Sequence, residues 1–207
     1  MSKSDTGNLF VIAAPSGAGK TSLVKAVVES MPGITVSISH TTRPIRPGEM
    51  HGTNYYFIDK AEFQHMIDHE DFLEHAIIFD NLYGTSKSWV AQTLAKGQDV
   101  ILEIDWQGQQ QIKQLFPQSI SIFILPPSLS ALQDRLIRRN QDSADIIKKR
   151  LADARDTVSH LPEFDYLVVN DEFETALGEL KTIVAACRLT QKRQSRKYAG
   201  LIEDLEA

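Results

Sequence analysis

The chain has 207 residues, 42% of them hydrophobic and 24% charged, the balance of one ordinary globular domain large enough to bury a core. Its net charge of −5, from 22 basic and 27 acidic residues, argues against nucleic-acid binding over the whole surface, and Cys187, the single cysteine, excludes an intrachain disulfide. Residues 1–8 are polar, unlike a signal peptide, and no apolar run approaches the roughly 18 residues of a membrane span, so the expectation is a soluble, cytoplasmic protein with no membrane partner.

In chain order, residues 9–14 form an apolar run that reads as a buried strand. Ala14-Pro15-Ser16-Gly17-Ala18-Gly19-Lys20-Thr21 follows, and residues 21–30 then read as a helix. Strand, glycine-rich loop, Gly-Lys-Thr and helix is the context of a phosphate-binding P-loop. Gly17 and Gly19 let the backbone curl so that its N–H groups point at phosphate oxygens, and the helix N-terminus adds its positive dipole end. Lys20 supplies a point charge for the β- and γ-phosphates of a nucleotide, and the Thr21 hydroxyl suits magnesium. Ala14 stands where such loops usually begin with glycine, a tolerable change if the position needs only a small side chain.

Residues 35–85 break the pattern. Short alternating runs at 36–39, 55–58 and 73–79, separated by proline and glycine, predict a small mixed insertion. Within it lies Thr41-Thr42-Arg43-Pro44-Ile45-Arg46-Pro47-Gly48-Glu49. Both arginines precede proline, which biases each toward extended or polyproline backbone. With three residues per polyproline turn, Arg43 and Arg46 project from one side and form a stiff clamp for a dianion. Tyr55 and Tyr83 can each donate a phenolic hydrogen bond to the same phosphate. Glu74 follows the apolar pair Phe72-Leu73, so the expectation is a carboxylate facing a partly buried cleft. There it could accept the parallel N1–H and 2-amino bonds of guanine, a donor pair that adenine lacks. His65 and His69 are spaced i, i+4, but no third ligand lies near them in sequence, which favours two surface histidines over a metal pair.

Residues 86–95 read as a helix and residues 100–105 as a second core strand. That strand leads into Glu103-Ile104-Asp105-Trp106-Gln107-Gly108. Ligands of open α/β sheets bind at the carboxyl ends of the strands. By the two-residue strand period Glu103 and Asp105 point to one side, where a carboxylate could hold Mg²⁺ through water or bind an acceptor nucleotide. Residues 105–108 also match the D-x-x-G element of GTPases, yet the chain has no N-K-x-D to read guanine. A helix over 107–115, a strand over 121–125, a strand over 166–170 and a long helix over 172–196 complete an α/β alternation with a parallel sheet. Residues 126–164 stand apart: after Pro126-Pro127 they are charge-dense and helical, and carry Arg135, Arg138, Arg139, Lys148, Lys149, Arg150 and Arg155. They read either as solvated helix faces or as a lid whose arginines reach a phosphate.

Taken together, A-P-S-G-A-G-K-T, S-I-S-H-T-T-R-P-I-R-P-G-E, F-L-E-H-A, Y-G-T-S, L-E-I-D-W-Q-G, F-I-L-P-P-S and V-V-N-D resemble the bacterial guanylate kinases over nearly the whole chain. The resemblance implies a P-loop NTPase three-layer α/β core with a parallel sheet, a small mixed α/β GMP-binding insertion and a helical lid. It places a guanylate kinase-like domain over 7–185, with core segments 7–34, 96–125 and 165–207, the insertion at 35–95 and the lid at 126–164. It implies ATP-dependent phosphorylation of GMP to GDP with Mg²⁺. Ser39, Glu74 and Thr85 would contact guanine, and Arg43, Arg46, Tyr55 and Tyr83 the GMP phosphate. Arg139 and Arg150 would be lid arginines, and Arg135 and Asn170 would line the adenine site. Two departures stand out. Glu103 occupies a position where the family often has Asp, and Arg139-Asn140 replaces its usual R-G, with Arg138 adjacent. Two rival readings stay open: a P-loop kinase for another nucleoside monophosphate, and a non-catalytic guanylate-kinase-like domain that binds proteins. Self-association also stays open.

Overall fold

A computed structural model describes residues 6–78, 80–138 and 143–207. Its core is a five-stranded parallel sheet in the order β2-β7-β1-β8-β9, formed by β1 (Leu9–Ala13), β2 (Ile34–Val36), β7 (Asp99–Glu103), β8 (Ile120–Leu125) and β9 (Tyr166–Val169). All five residues of β1 are buried, because both faces of the sheet are covered. Phe10 and Ile12 face α1 (Lys20–Ser30) and α7 (Phe173–Arg188), packing with Leu23, Val27, Leu180 and Val184. Leu9 and Val11 face the other way, into a cluster with Val90 of α3 (Lys87–Ala95) and Ile112 of α4 (Trp106–Leu115). Helix, sheet, helix is the expected three-layer core.

The sheet has one strand more than the four read from the sequence. Ile34–Val36 pairs with Asp99–Ile101 as an edge strand, although residue 35 was expected to open the insertion. Three residues are too few for an alternation pattern to declare itself. The long helix expected over 172–196 is also broken. α7 ends at Arg188, Thr190 is extended, and α8 (Gln191–Lys197) starts afresh. The break lets Arg188 of α7 and Arg193 of α8 converge on Asp99, which is fully buried at the start of β7, each with an N–O distance of 2.7 Å. A last helix, α9 (Ala199–Glu206), follows α8.

The insertion builds a second, mixed sheet in the order β4-β3-β6-β5, from β3 (His40–Thr41), β4 (Tyr56–Phe57), β5 (Phe72–Ile78) and β6 (Asn81–Ser86). Its helix α2 (Lys60–Asp68) buries Phe63 against Phe72, ring centroids 4.5 Å apart. His65 and His69 stack on this helix at 4.0 Å, and among the described residues no group of three His, Cys, Asp or Glu could hold a metal ion. Between β8 and β9 the chain forms α5 (Leu129–Arg138) and α6 (Ala144–Ser159), joined by Leu132, Leu136 and Ala154. No helix among the described residues is long and apolar enough to cross a membrane.

Candidate active site

The P-loop runs from β1 into α1, and two of its glycines are required by backbone and by space. Gly17 and Gly19 adopt φ of 95° and 94°, in the left-handed region that favours glycine. A Cβ on Gly17 would come within 3.0 Å of Leu136 on α5, and one on Gly19 within 2.3 Å of the Asn170 amide nitrogen. The Ala18 N–H closes a turn on the Pro15 carbonyl at 3.0 Å. The Ala18 carbonyl in turn accepts from Asn170 Nδ2 at 2.8 Å and Arg135 Nη1 at 3.3 Å, while Arg135 Nη2 donates to the Asn170 carbonyl at 2.9 Å. Arg135 and Asn170, expected at the adenine site, thus hold the loop's own backbone. Ala14 is half-buried and packs on the core cluster of α1 and α7.

Lys20 Nζ donates to the Ile104 carbonyl at 3.2 Å. Burial lowers its pKa, and Glu103, Asp105 and Glu74 oppose that shift, so three carboxylates surround one ammonium. Thr21 Oγ1 donates to Glu103 Oε2 at 2.9 Å. This hydrogen bond sets a hydroxyl and a carboxylate oxygen side by side, the hard oxygen donors that suit Mg²⁺. β7 ends at Glu103, so Asp105 is held by a different device: its carboxylate caps α4, accepting the Gly108 N–H at 2.9 Å, while its charge still acts on Lys20 beside that of Glu103.

The acceptor side lies in the insertion. Register between β5 and β6 sets Glu74 opposite Thr85, whose hydroxyl donates to Glu74 Oε1 at 2.5 Å. Glu74 is 4% exposed, and its other oxygen lies so close to α4 that a Cβ on Gly108 would sit 2.7 Å from it. Burial raises the Glu74 pKa to about 7, with Asp105 adding to the rise and Thr85 and Lys20 opposing it. Arg43 is buried beneath Tyr55 and Phe57, its guanidinium 5.4 and 5.6 Å from their ring centroids. Burial works against its charge, but the bond to Glu49 Oε1 at 2.8 Å and the neighbouring Tyr83 outweigh it and raise its pKa. Tyr55 meets Tyr83 edge-on at 5.9 Å, and burial lifts the Tyr55 phenol to about 12. Glu49, to which the sequence reading gave no role, also accepts the Arg46 backbone N–H at 2.8 Å and so ties the two arginine positions together. Ser39 is half-buried just before β3, its carbonyl accepting the Tyr56 N–H at 2.9 Å.

The lid reaches the donor loop directly. Arg150 on α6 is buried and its Nη1 donates to Ser16 Oγ in the P-loop, 134 positions earlier in sequence. Arg139 and Asn140 lie outside the described residues.

A P-loop on a parallel core, a separate sheet presenting a buried arginine and a buried carboxylate, and a lid helix touching the loop define a P-loop phosphotransferase. Comparison with known proteins is specific within that class. The guanylate kinase family model matches residues 6–187. A guanylate kinase of Coxiella burnetii is 55% identical over 198 residues, covering 96% of each chain, and one of Hahella chejuensis is 57% identical over 192 residues, covering 93% of this chain and 92% of the relative. The crystal structure of guanylate kinase from Anaplasma phagocytophilum superposes with a TM-score of 0.78 at 31% identity, covering 91% of this chain and 90% of that one. The chain belongs to the guanylate kinase family.

Proposed function

We propose that Lys20, Thr21, Arg43, Arg46, Glu74, Glu103 and Arg150 are the working residues of a GMP kinase with Mg²⁺-ATP as donor. The enzyme is a nucleoside monophosphate kinase that phosphorylates GMP; the rival readings, another acceptor or a protein-binding domain, are not favoured. The observation that supports the residue assignment is that the donor loop meets its partners directly, Thr21 on Glu103 at 2.9 Å and Ser16 on Arg150, while the Glu74 carboxylate lies against α4 at Gly108, five residues past Glu103.

Phosphoryl transfer needs positioning and charge compensation more than covalent chemistry. The P-loop amides and Lys20 hold the donor phosphates, while Arg43 and Arg46, with Tyr55 and Tyr83, hold the acceptor phosphate. Arg150 brings a cation from the lid to the same loop. Glu74, Thr85 and Ser39 read the guanine edge. Arg135 and Asn170 keep the loop in shape and border the adenine. Thr21 and Glu103 would hold Mg²⁺, and the ion would offset charge on the transferring phosphates. The GMP phosphate is already ionised, so no protein base is required to activate it. Closure of the lid (126–164) over the core and insertion (35–95) would exclude water and suppress ATP hydrolysis. Self-association stays open, and the negative net charge suits a protein without a nucleic-acid partner. Substrates of this kind suit a cytoplasmic protein.

The test is ADP release from ATP with each nucleoside monophosphate in turn, with and without Mg²⁺. GMP-dependent, Mg²⁺-dependent release is expected. Purified, folded protein that releases no ADP on addition of GMP would overturn the reading.

A further inference from the structure

The helix that follows the second core strand carries contacts that phosphoryl transfer has not so far required. α4 begins at Trp106, one residue after the Asp105 cap. The Trp106 ring lies flat on His160, centroids 3.6 Å apart and planes 8° from parallel. His160 is the C-cap of lid helix α6, and its Nδ1 pairs with Glu163 Oε1 at 2.7 Å in the following 3-10 turn (Leu161–Glu163). Gln110 Nε2 donates to the other Glu163 oxygen at 2.8 Å, and Gln109 Nε2 to the Glu163 carbonyl at 3.2 Å. The first turn of α4 therefore grips the point where the lid rejoins the core. The next turn grips the insertion: Gln111 donates to the His75 carbonyl at 2.8 Å and accepts the His75 N–H at 3.2 Å, one residue beyond Glu74.

We propose that α4 is the mechanical link between the acceptor insertion and the lid, with Trp106 and His160 as positioning residues for phosphoryl transfer. α6 is fastened at two places, by Arg150 to the P-loop and by His160 to Trp106. The ten-residue step from one to the other spans about 15 Å of helix. A rod held at one end by a flat aromatic stack can place its other end only as well as the stack fixes its angle. The same α4 backbone closes against Glu74 at Gly108, so the element that feels the acceptor also sets the angle of the lid. The inference rests on the kinase reading above, and wild-type turnover of GMP tests that reading separately.

The experiment uses the full chain carrying Trp89→Phe, which leaves Trp106 as the only tryptophan. His160→Ala and His160→Phe are made in it. Emission of Trp106, GMP affinity by calorimetry, and kcat are measured for each. His160→Ala should change the emission of Trp106, leave GMP affinity within about twofold, and lower kcat about tenfold, within the range by which single contacts alter coupling between sites. His160→Phe keeps a ring on Trp106 and should recover most of the loss in kcat. Glu163→Gln, at an exposed position, should lower kcat about threefold and serves if His160→Ala does not fold. Unchanged kcat in a variant whose Trp106 emission shows the stack broken would overturn the proposal. So would equal losses in His160→Ala and His160→Phe, or GMP affinity falling in step with kcat. In the substitute case, an unchanged kcat in Glu163→Gln would overturn it.

Discussion

Replacement of Glu74 by Gln separates what the side chain costs the fold from what it gives the site. The carboxylate is 4% exposed, and its pKa rises to about 7 from 4.5, chiefly because burial disfavours the charge. Between those values the folded protein binds a proton that the unfolded chain has released. Stability from this group is therefore full below pH 4.5 and is lost as pH rises to 7. At 1.36 kcal/mol for each pH unit across that interval, an ionised Glu74 costs the fold about 3 kcal/mol above pH 7. Glutamine keeps the volume, still accepts from Thr85, and does not titrate. The stability of Glu74→Gln relative to wild type should then climb by about 3 kcal/mol between pH 4.5 and pH 8. For a chain of this size that is roughly 6–12 °C in relative Tm. Denaturant melts of both proteins across this range measure it directly. GMP should report the opposite requirement. Only the ionised carboxylate accepts two guanine donors, so GMP affinity of the wild type should fall about tenfold per pH unit below 7. The GMP phosphate titrates near pH 6 on its own, and the Glu74→Gln protein supplies that background slope. A stability difference that stays constant between pH 4.5 and 8 would refute the assignment of a buried, raised carboxylate. A pH profile for GMP shared by both proteins would remove Glu74 from the base site.

Four further outcomes are expected. Lys20→Met should fold normally and lose about 10²–10³ in kcat, the size of a single transition-state donor worth about 3–4 kcal/mol; near-normal turnover would dismiss the P-loop assignment. Arg150→Ala should lower kcat by about 10² or more while GMP affinity by calorimetry stays near wild type, because the side chain meets the donor loop; loss of GMP affinity with intact turnover would contradict this. Thr21→Ala and Glu103→Gln should each raise the Mg²⁺ concentration for half-maximal rate about tenfold, and an unchanged magnesium titration would exclude the Thr21–Glu103 pair as its seat. Wild type should prefer GMP over AMP in kcat/KM by about 10⁴ or more, as sites built on paired hydrogen bonds do, with IMP between them; a preference near 10² would point to shape alone.

The P-loop was legible because its chemistry is contiguous. Two glycines, a lysine and a threonine act through backbone curl and the start of one helix, and neighbours along the chain settle both. The buried strand at 9–13 was legible for a related reason, since parallel strands covered on both faces read as unbroken apolar runs; the shorter run at 100–102 marked the next core strand, which the reading carried to 105 and which ends at Glu103. The insertion was visible only in outline. Its strands β3 and β4 have two residues each, and their pairing depends on partners that no periodic pattern announces.

What the sequence alone determined is the set of groups available: a phosphate loop, a stiff arginine segment, and carboxylates at the end of a core strand. What tertiary structure decided is which of them meet. Thr21 finds Glu103 across 82 positions, Arg150 finds Ser16 across 134, and Asn170 reaches Ala18 across 152. The stack of Trp106 on His160 left no mark on either residue's neighbours. The pKa of Glu74 likewise belongs to no local pattern, for burial created it and α4 supplied part of that burial. Asp105 shows where the local pattern stops: the strand ends at Glu103, and the Asp105 carboxylate is fixed by capping the helix that begins at Trp106, while its charge still reaches Lys20 beside that of Glu103. Local sequence chooses among backbone conformations that differ by a kcal/mol or so per residue. Which distant side chains meet is chosen by burial of the whole core, and that sum is not written in any one segment.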